Sequence, residues 1–426
     1  MGQLTVKQLP NRVRFCYLPT DKFKTITINT FVHQDLTGEL ASRTALLPPV
    51  LERGTSRFPD SLSLRREMEN LYGAELSTDV GKKGERHLMV ISLELVRPDL
   101  APDDGVLRKG LNLLRSVLCE PLTEGEGFLP SFVDQEKAQL AKEIRSLINE
   151  KTSYSVERCL QEMCRGERFA VYKYGDLQSL EELDPRELYR YYREVISRNP
   201  VDVYMVGPEN LDGADSLLEE VLDFPREEGT KSLQETEVYV EKNREVQFKE
   251  EVLPVNQAKL VMGYRTNIDY SHSLYYPLVF FNGILGGFPH SKLFQNVREK
   301  ASLAYFVFSR LERHKGIMLL TAGIDYSQYK RTINLMQKQV KAIAEGDISD
   351  TEMENTRRGL INQLRVQKDS PGRLISFYLD AHIGGREHTF EEVAEKMSRV
   401  TKREVVEAAR QVELDTVYLL RGEKGD

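Results

Sequence analysis

The chain has 426 residues, 40% hydrophobic and 29% charged, which is the composition of a globular protein with more than one ordinary domain and excludes a disordered chain. Its net charge of -7 argues against nucleic acid as a main partner, because phosphate binding needs a basic footprint. No apolar run is long enough to cross a bilayer, and the opening MGQLTVKQLPNRVRF has no apolar core, so neither a membrane span nor a secretory signal is expected. Cys16, Cys119, Cys159 and Cys164 form no CxxC pair and have no flanking histidines at zinc-finger spacing. They are expected to be reduced thiols in a cytoplasmic protein.

Residues 1–34 read as strands, with a β-rich run at Val13–Tyr17 and a Thr/Asn-apolar alternation over Thr25–Val32. Thr37–Leu51 has helical apolar spacing, but Pro48-Pro49 in its interior should kink or break it. A second helix is expected over Ser61–Leu71, capped by Asp60 or Ser61. Ala74–Asp79 and His87–Leu95 read as a strand pair around the charged turn Gly81–Glu85. Helices follow over Leu107–Leu118, Phe132–Lys151 and about Ser155–Met163. Another starts at Asp184-Pro185, with Pro185 at the first helical position. Val201–Val206 reads as a strand that closes the first half.

Residues 224–250 are polar and charged and read as an extended connector, with some strand character near Glu237–Val240. The order of elements then repeats. Strands are expected at Lys259–Tyr264, Ala304–Leu311, Gly316–Ile324 and Thr416–Leu420. Helices are expected at Tyr275–Leu285, Leu293–Lys300, Thr332–Ala344, Asp350–Gln367, after Pro371, and at Thr401–Val412. KREVVEAARQVELDTVYLLRG mirrors PRELYRYYREVISRNPVDVYMVG. A period of about 215 residues is too long for a solenoid and means two copies of one domain. The expected fold class is α+β, each half an antiparallel sheet packed with helices. The expected division is 1–223, a connector at 224–250, and 251–426.

Asn282–Tyr305 is the most informative stretch. Gly286-Gly287 should end a helix, since glycine reaches positive φ without penalty. Ser291 can cap the next helix, whose Leu293, Phe294 and Val297 share an apolar face. Arg298 and, seven residues later, Tyr305 are then placed near a glycine turn, each able to hold a peptide carbonyl. The plain reading is a surface arginine beside a half-buried strand tyrosine.

Asn282, Leu285-Gly286-Gly287, Ser291-Lys292-Leu293-Phe294, Val297-Arg298-Glu299 and Ala304-Tyr305 together resemble the C-terminal half of insulinase/pitrilysin-type zinc metallopeptidases, which include the mitochondrial processing peptidase. The resemblance covers nearly the whole chain. It implies a clamshell of two halves around a chamber, with Arg298, Tyr305 and the Gly286-Gly287 turn holding substrate.

In that family the first half carries HxxEH on a helix, two metal-binding histidines and a glutamate that activates water, followed by an R/K-G-T-like end. Anchored on Arg53-Gly54-Thr55, the ligand positions here hold Ala45 and Pro49, and the base position holds Pro48. None can bind metal or take a proton through its side chain. Glu136 and Glu143 keep a seven-residue spacing, and Glu143 matches the family's third ligand. A single carboxylate cannot form a catalytic zinc site, so both glutamates read as a solvated helix face. No HxxEH, HxxxH or inverted HxxxxH occurs in residues 1–271, and there is no GxSxG. His382 and His388 lie in a loop-like stretch, HIGGREH.

The resemblance is therefore to the inactive bacterial branch of the family and to the non-catalytic subunit of processing-type peptidases. It implies no cofactor in this chain, zinc in an HxxEH-bearing partner subunit, a peptide substrate and a heterodimer. The alternative is a peptide-binding or assembly protein of the same fold with no proteolytic role.

Overall fold

The computed structural model describes residues 2–102, 105–211, 214–238 and 245–423. The strands are β1 (Thr5–Gln8), β2 (Val13–Pro19), β3 (Thr25–Asp35), β4 (Glu75–Lys83), β5 (Arg86–Val96), β6 (Thr123–Glu124), β7 (Gly127–Phe128), β8 (Val201–Gly207), β9 (Gln247–Val252), β10 (Ala258–Arg265), β11 (Ala304–Glu312), β12 (Ile317–Ile324) and β13 (Glu413–Arg421). Two compact units emerge. One comprises residues up to Arg145 together with Val171–Glu235, the other Ser146–Ala170 together with residues from Thr236 onward.

The first unit holds a sheet in the order β1-β2-β8-β3-β5-β4. β3 pairs with β5 over its whole length, from Thr25 opposite Val96 to Asp35 opposite Arg86. Flanked also by β8, it is a central strand with both faces covered, so Ile26, Ile28 and Thr30 are buried on one face and Thr27, Phe31 and His33 on the other. Helices Gly38–Arg53, Val106–Cys119 and Pro185–Arg198 supply Leu46, Leu47, Leu111, Leu114, Leu188 and Val195 to the core under this sheet.

The second unit holds a sheet in the order β11-β12-β10-β13-β9. Laid against β4-β5-β3-β8-β2, the order is the same. In each sheet the pairing is antiparallel except for one parallel pair, β2 with β8 and β9 with β13. Duplication is thus visible in topology as well as in sequence. The expectation of purely antiparallel sheets needs correction at these pairs. Parallel neighbours need a long crossover and cannot be hairpins, and each pair joins the first and last of the five strands that the two sheets share.

Three boundaries differ from the sequence-based reading. The expected connector 224–250 overlaps the first four residues of β9 (Gln247–Val252), so the second copy begins inside it. Glu237 and Val238 form no strand, and the rest of Glu237–Val240 lies outside the described residues. The helix expected over Phe132–Lys151 ends earlier, as Pro130–Ser146, and the one expected from about Ser155 starts earlier, as Lys151–Met163, with a 3-10 turn between them. The second of these packs with the C-terminal sheet. Its Cys159, Leu160 and Met163 share a core with Val261, Leu319, Tyr418 and Leu420.

A buried charge cluster completes that attachment. Glu167 receives Arg265 and, at 2.7 Å, the Nζ of Lys315, whose side chain is fully buried. Arg265 Nε lies 3.2 Å from Asp415 and its Nη2 donates to the Met163 carbonyl. Burial by itself would raise the Glu167 carboxyl, but the hydrogen bonds from Arg265 and Lys315 bring it below the usual range.

Candidate functional site

Ala45, Pro48 and Pro49, the positions where the resemblance implies a degenerate metal site, lie on helix Gly38–Arg53, capped by Thr37, whose hydroxyl accepts from the Leu40 amide at 3.3 Å. The helix runs unbroken through Pro48 and Pro49, contrary to expectation. The prolines withdraw the amide donors that the Thr44 and Ala45 carbonyls would have used. Leu46, Leu47, Val50 and Leu51 on the same helix are buried, and their packing holds it through the gap. Ala45 and Pro48 are buried and Pro49 is half-buried.

Of the two glutamates on helix Pro130–Ser146, Glu136 is not on a solvated face and Glu143 is. Glu136 is buried and forms an ion pair with Arg53. Glu143 is exposed but accepts a hydrogen bond from Tyr174, whose phenol is pushed up by burial and by the carboxylates of Asp79 and Glu143. Glu52 accepts from Thr78 at 2.7 Å, yet burial raises its carboxyl above the usual range. Pro49, Glu52, Arg53 and Glu136 line an open cleft of about 290 Å³. Among the described residues no three His, Cys, Asp or Glu side chains converge as metal ligands. This donor set does not fit zinc. Ala45 and Pro49 carry no donor atom, and the Glu136 carboxylate in the cleft is already paired with the Arg53 guanidinium.

The second set lies in the C-terminal unit. Helix Tyr275–Asn282 passes into a π-helical turn over Gly283–Gly287 and ends at the extended Phe288. Neither Gly286 nor Gly287 is at positive φ, so conformational freedom is not what glycine provides here. Gly286 is needed for space: a Cβ there would lie 2.7 Å from the amide nitrogen of Ser309 on β11. Ser309 Oγ donates to the Asn282 carbonyl at 3.2 Å, tying the turn to that strand. The Ser291 hydroxyl is buried without a partner and caps nothing, again unlike the expectation.

The helix expected over Leu293–Lys300 is π-helical over Phe294–Lys300, a wide turn common at functional sites. Leu293 and Val297 are buried and Phe294 half-buried, as their spacing required. Arg298 points outward, its guanidinium 4.7 Å from the Phe294 ring centroid and 3.7 Å from Glu299.

β11 opens with a bulge. Ala304 pairs with Ile324 and Phe306 with Gly323, so Tyr305 is the extra residue. A bulge re-aims its side chain, and Tyr305 is 70% exposed. Arg298 and Tyr305 line the same open cleft of about 490 Å³, with Glu299, Ser302, Asp325 and Gln328. Gly286 and Gly287 do not line it; their turn stands behind β11.

Sequence reasoning missed Ser302, Asp325 and Gln328. Asp325 carried a readable signal, since it follows β12 and caps the next turn by accepting from the Ser327 amide at 2.8 Å. The bulge and the π turns had none. In HIGGREH, His382 and Ile383 belong to helix Pro371–Ile383 and only residues 384–388 are turn and loop.

A family model described as "Peptidase M16 inactive domain" matches residues 182–360. The chain is 35% identical over 409 residues to the "Probable inactive metalloprotease YmfF" of Bacillus subtilis strain 168, covering 95% of each. A crystal structure of a conserved protein from Enterococcus faecalis V583 superposes with a TM-score of 0.89 at 29% identity, over 99% of both chains. A peptidase M16 inactive domain from Pseudomonas fluorescens has the same fold, with a TM-score of 0.82 at 14% identity over 99% of both chains.

Proposed function

This chain belongs to the insulinase/pitrilysin-type M16 peptidase family, in its inactive branch, and we propose that it is the peptide-holding, non-catalytic subunit of a two-chain zinc endopeptidase. The zinc and the general base come from an HxxEH-bearing homologue. The observation that carries this reading is the shared cleft of Arg298 and Tyr305 at the head of β11. A guanidinium and a phenol, both donors, face solvent there beside the terminal strand of the sheet.

An extended peptide can add to such a strand through main-chain hydrogen bonds, with little demand on its sequence. Arg298 donates to a peptide carbonyl, and Tyr305 donates to a second one or to the oxygen that gains charge when the partner's water attacks. Gly286 acts behind the site by letting the turn approach β11 closely enough to seat it.

The test mixes this chain with the HxxEH-bearing homologue of the same organism and follows complex size by light scattering and cleavage of a peptide library. Activity confined to the mixture, and lost with Arg298→Ala plus Tyr305→Phe, is the expected result. The reading fails if the homologue alone cleaves as fast as the mixture. Peptide binding without cleavage in any mixture would instead make the chain a binding or assembly protein.

A further inference from the structure

The cleft at Arg298 and Tyr305 does not end at Tyr305. A second open cleft, about 450 Å³, shares Tyr305 and Asp325 with the first and reaches Tyr326 and Gly422. Its walls are the ends of β10, β11, β12 and β13, so it runs across one end of the strands. Tyr326 then stacks on Tyr329, with centroids 5.4 Å apart and planes inclined by 14°. Tyr329 meets Phe248 of β9 at 6.2 Å. Phe248 is 47% exposed, and Tyr326 and Tyr329 are half-buried.

Three accessible aromatic rings, Tyr326, Tyr329 and Phe248, thus touch in sequence, and the first of them lines the cleft that Tyr305 also lines. Such rings cost little conformational entropy to present and offer large flat contact area. A contiguous exposed apolar path, unlike scattered single residues, marks an interaction surface. Asn256, Gln257 and Asp325 line the cleft that leads from Tyr305 to the three rings. Arg421 lies over the Tyr326 ring at 5.1 Å while paired with Glu250, so its charge is already matched.

We propose that Tyr326, Tyr329 and Phe248 form a specificity track that selects extended peptides carrying a large apolar or aromatic side chain outside the segment held at Arg298 and Tyr305. The proposal rests on the peptide-holding reading above. It adds a substrate class to a site that otherwise reads only main chain.

The probe is an array of fluorescein-labelled twelve-residue peptides of Ser, Gly and Thr, with one Phe, Leu, Asp or Lys stepped along the sequence. Binding is read by fluorescence polarisation on the full chain. The unaltered protein should bind the best-placed Phe peptide about tenfold more tightly than the Asp peptide of the same register. Phe248→Ser with Tyr329→Ser should remove that preference and leave the Asp and Lys peptides unchanged. Phe248→Leu should keep most of it, which separates lost contact from lost fold. Far-UV circular dichroism checks that each variant is folded.

If the peptides bind and Arg298→Ala weakens all of them alike, but the double serine variant keeps the Phe preference, the track is refuted and the peptide-holding reading stands. If no peptide in the array binds the unaltered chain, both readings fall together.

Discussion

Replacing Gly286 with alanine adds one methyl group where the structure has no room for it. The new Cβ would lie 2.7 Å from the Ser309 amide nitrogen, 2.7 Å from Ser309 Oγ and 2.9 Å from Leu293 Cδ1. The hydroxyl and the leucine methyl can rotate away, but the amide is backbone of β11 and is held by pairing with β12. Relief therefore requires the turn and the strand to separate by several tenths of an ångström. Overpacking of this kind costs roughly 1–3 kcal/mol. At about 2 kcal/mol the melting temperature of a unit this size falls by roughly 4–8 °C.

The chain has no tryptophan, so far-UV circular dichroism is the readout. Gly372→Ala is the matched control. Gly372 lies in helix Pro371–Ile383, and the Cβ that alanine would add there meets nothing within 4 Å, so the substitution should stabilise by roughly 0.5–1 kcal/mol. Because the displaced strand carries Tyr305, Gly286→Ala should also weaken peptide binding without touching the cleft. A melting temperature for Gly286→Ala equal to or above the parent's would refute the close-packing argument for this glycine.

Lys315→Met removes one partner of a buried four-charge cluster. Since Arg265 still faces Glu167, the loss should sit at the low end of the usual range, roughly 3 kcal/mol, seen as a urea midpoint lowered by about 1 M. Lys341→Met, which breaks the exposed pair with Glu345 at 3.5 Å, should cost less than roughly 0.5 kcal/mol; equal effects would contradict the assignment of the cluster as structural. Glu52 titrates above its unfolded value because it is buried, so its ionised form opposes folding. Glu52→Gln should therefore stabilise the chain at pH 7. The gain should shrink as pH falls through the folded pKa and vanish below the unfolded value of about 4.3, and a gain that persists at pH 3 would refute the burial argument.

Much of the fold was legible because it depends on neighbours in the chain. Helix Asp350–Gln367 was readable to the residue, with Ser349 and Glu352 forming a capping box at its start. β5 showed its alternation and β3 its β-branched run. Other elements had no such local signal. QFKEEV of β9 alternates with its apolar residues outward, at 47% for Phe248 and 41% for Val252, so it reads as polar connector until β13 pairs with it. Helix Lys151–Met163 is plain in sequence, but its attachment to the C-terminal unit depends on Val261 and Tyr418, a hundred or more residues away.

The candidate site divides in the same way. That no zinc ligand can stand at positions 45 and 49 follows from residue type alone, since alanine and proline side chains carry no donor atom. The pairing of Arg298 with a tyrosine seven residues later is also a matter of sequence. Only tertiary structure turned Glu136 from a surface carboxylate into the buried partner of Arg53. It also gave Gly286 its role as a spacer against Ser309, placed Tyr305 on a bulge set by the register with β12, and brought Phe248 of β9 against Tyr329. The reason is physical. Propensity, capping and periodicity arise among residues a few positions apart, whereas burial, register and charge pairing depend on which distant surfaces meet once the chain has closed its long loops.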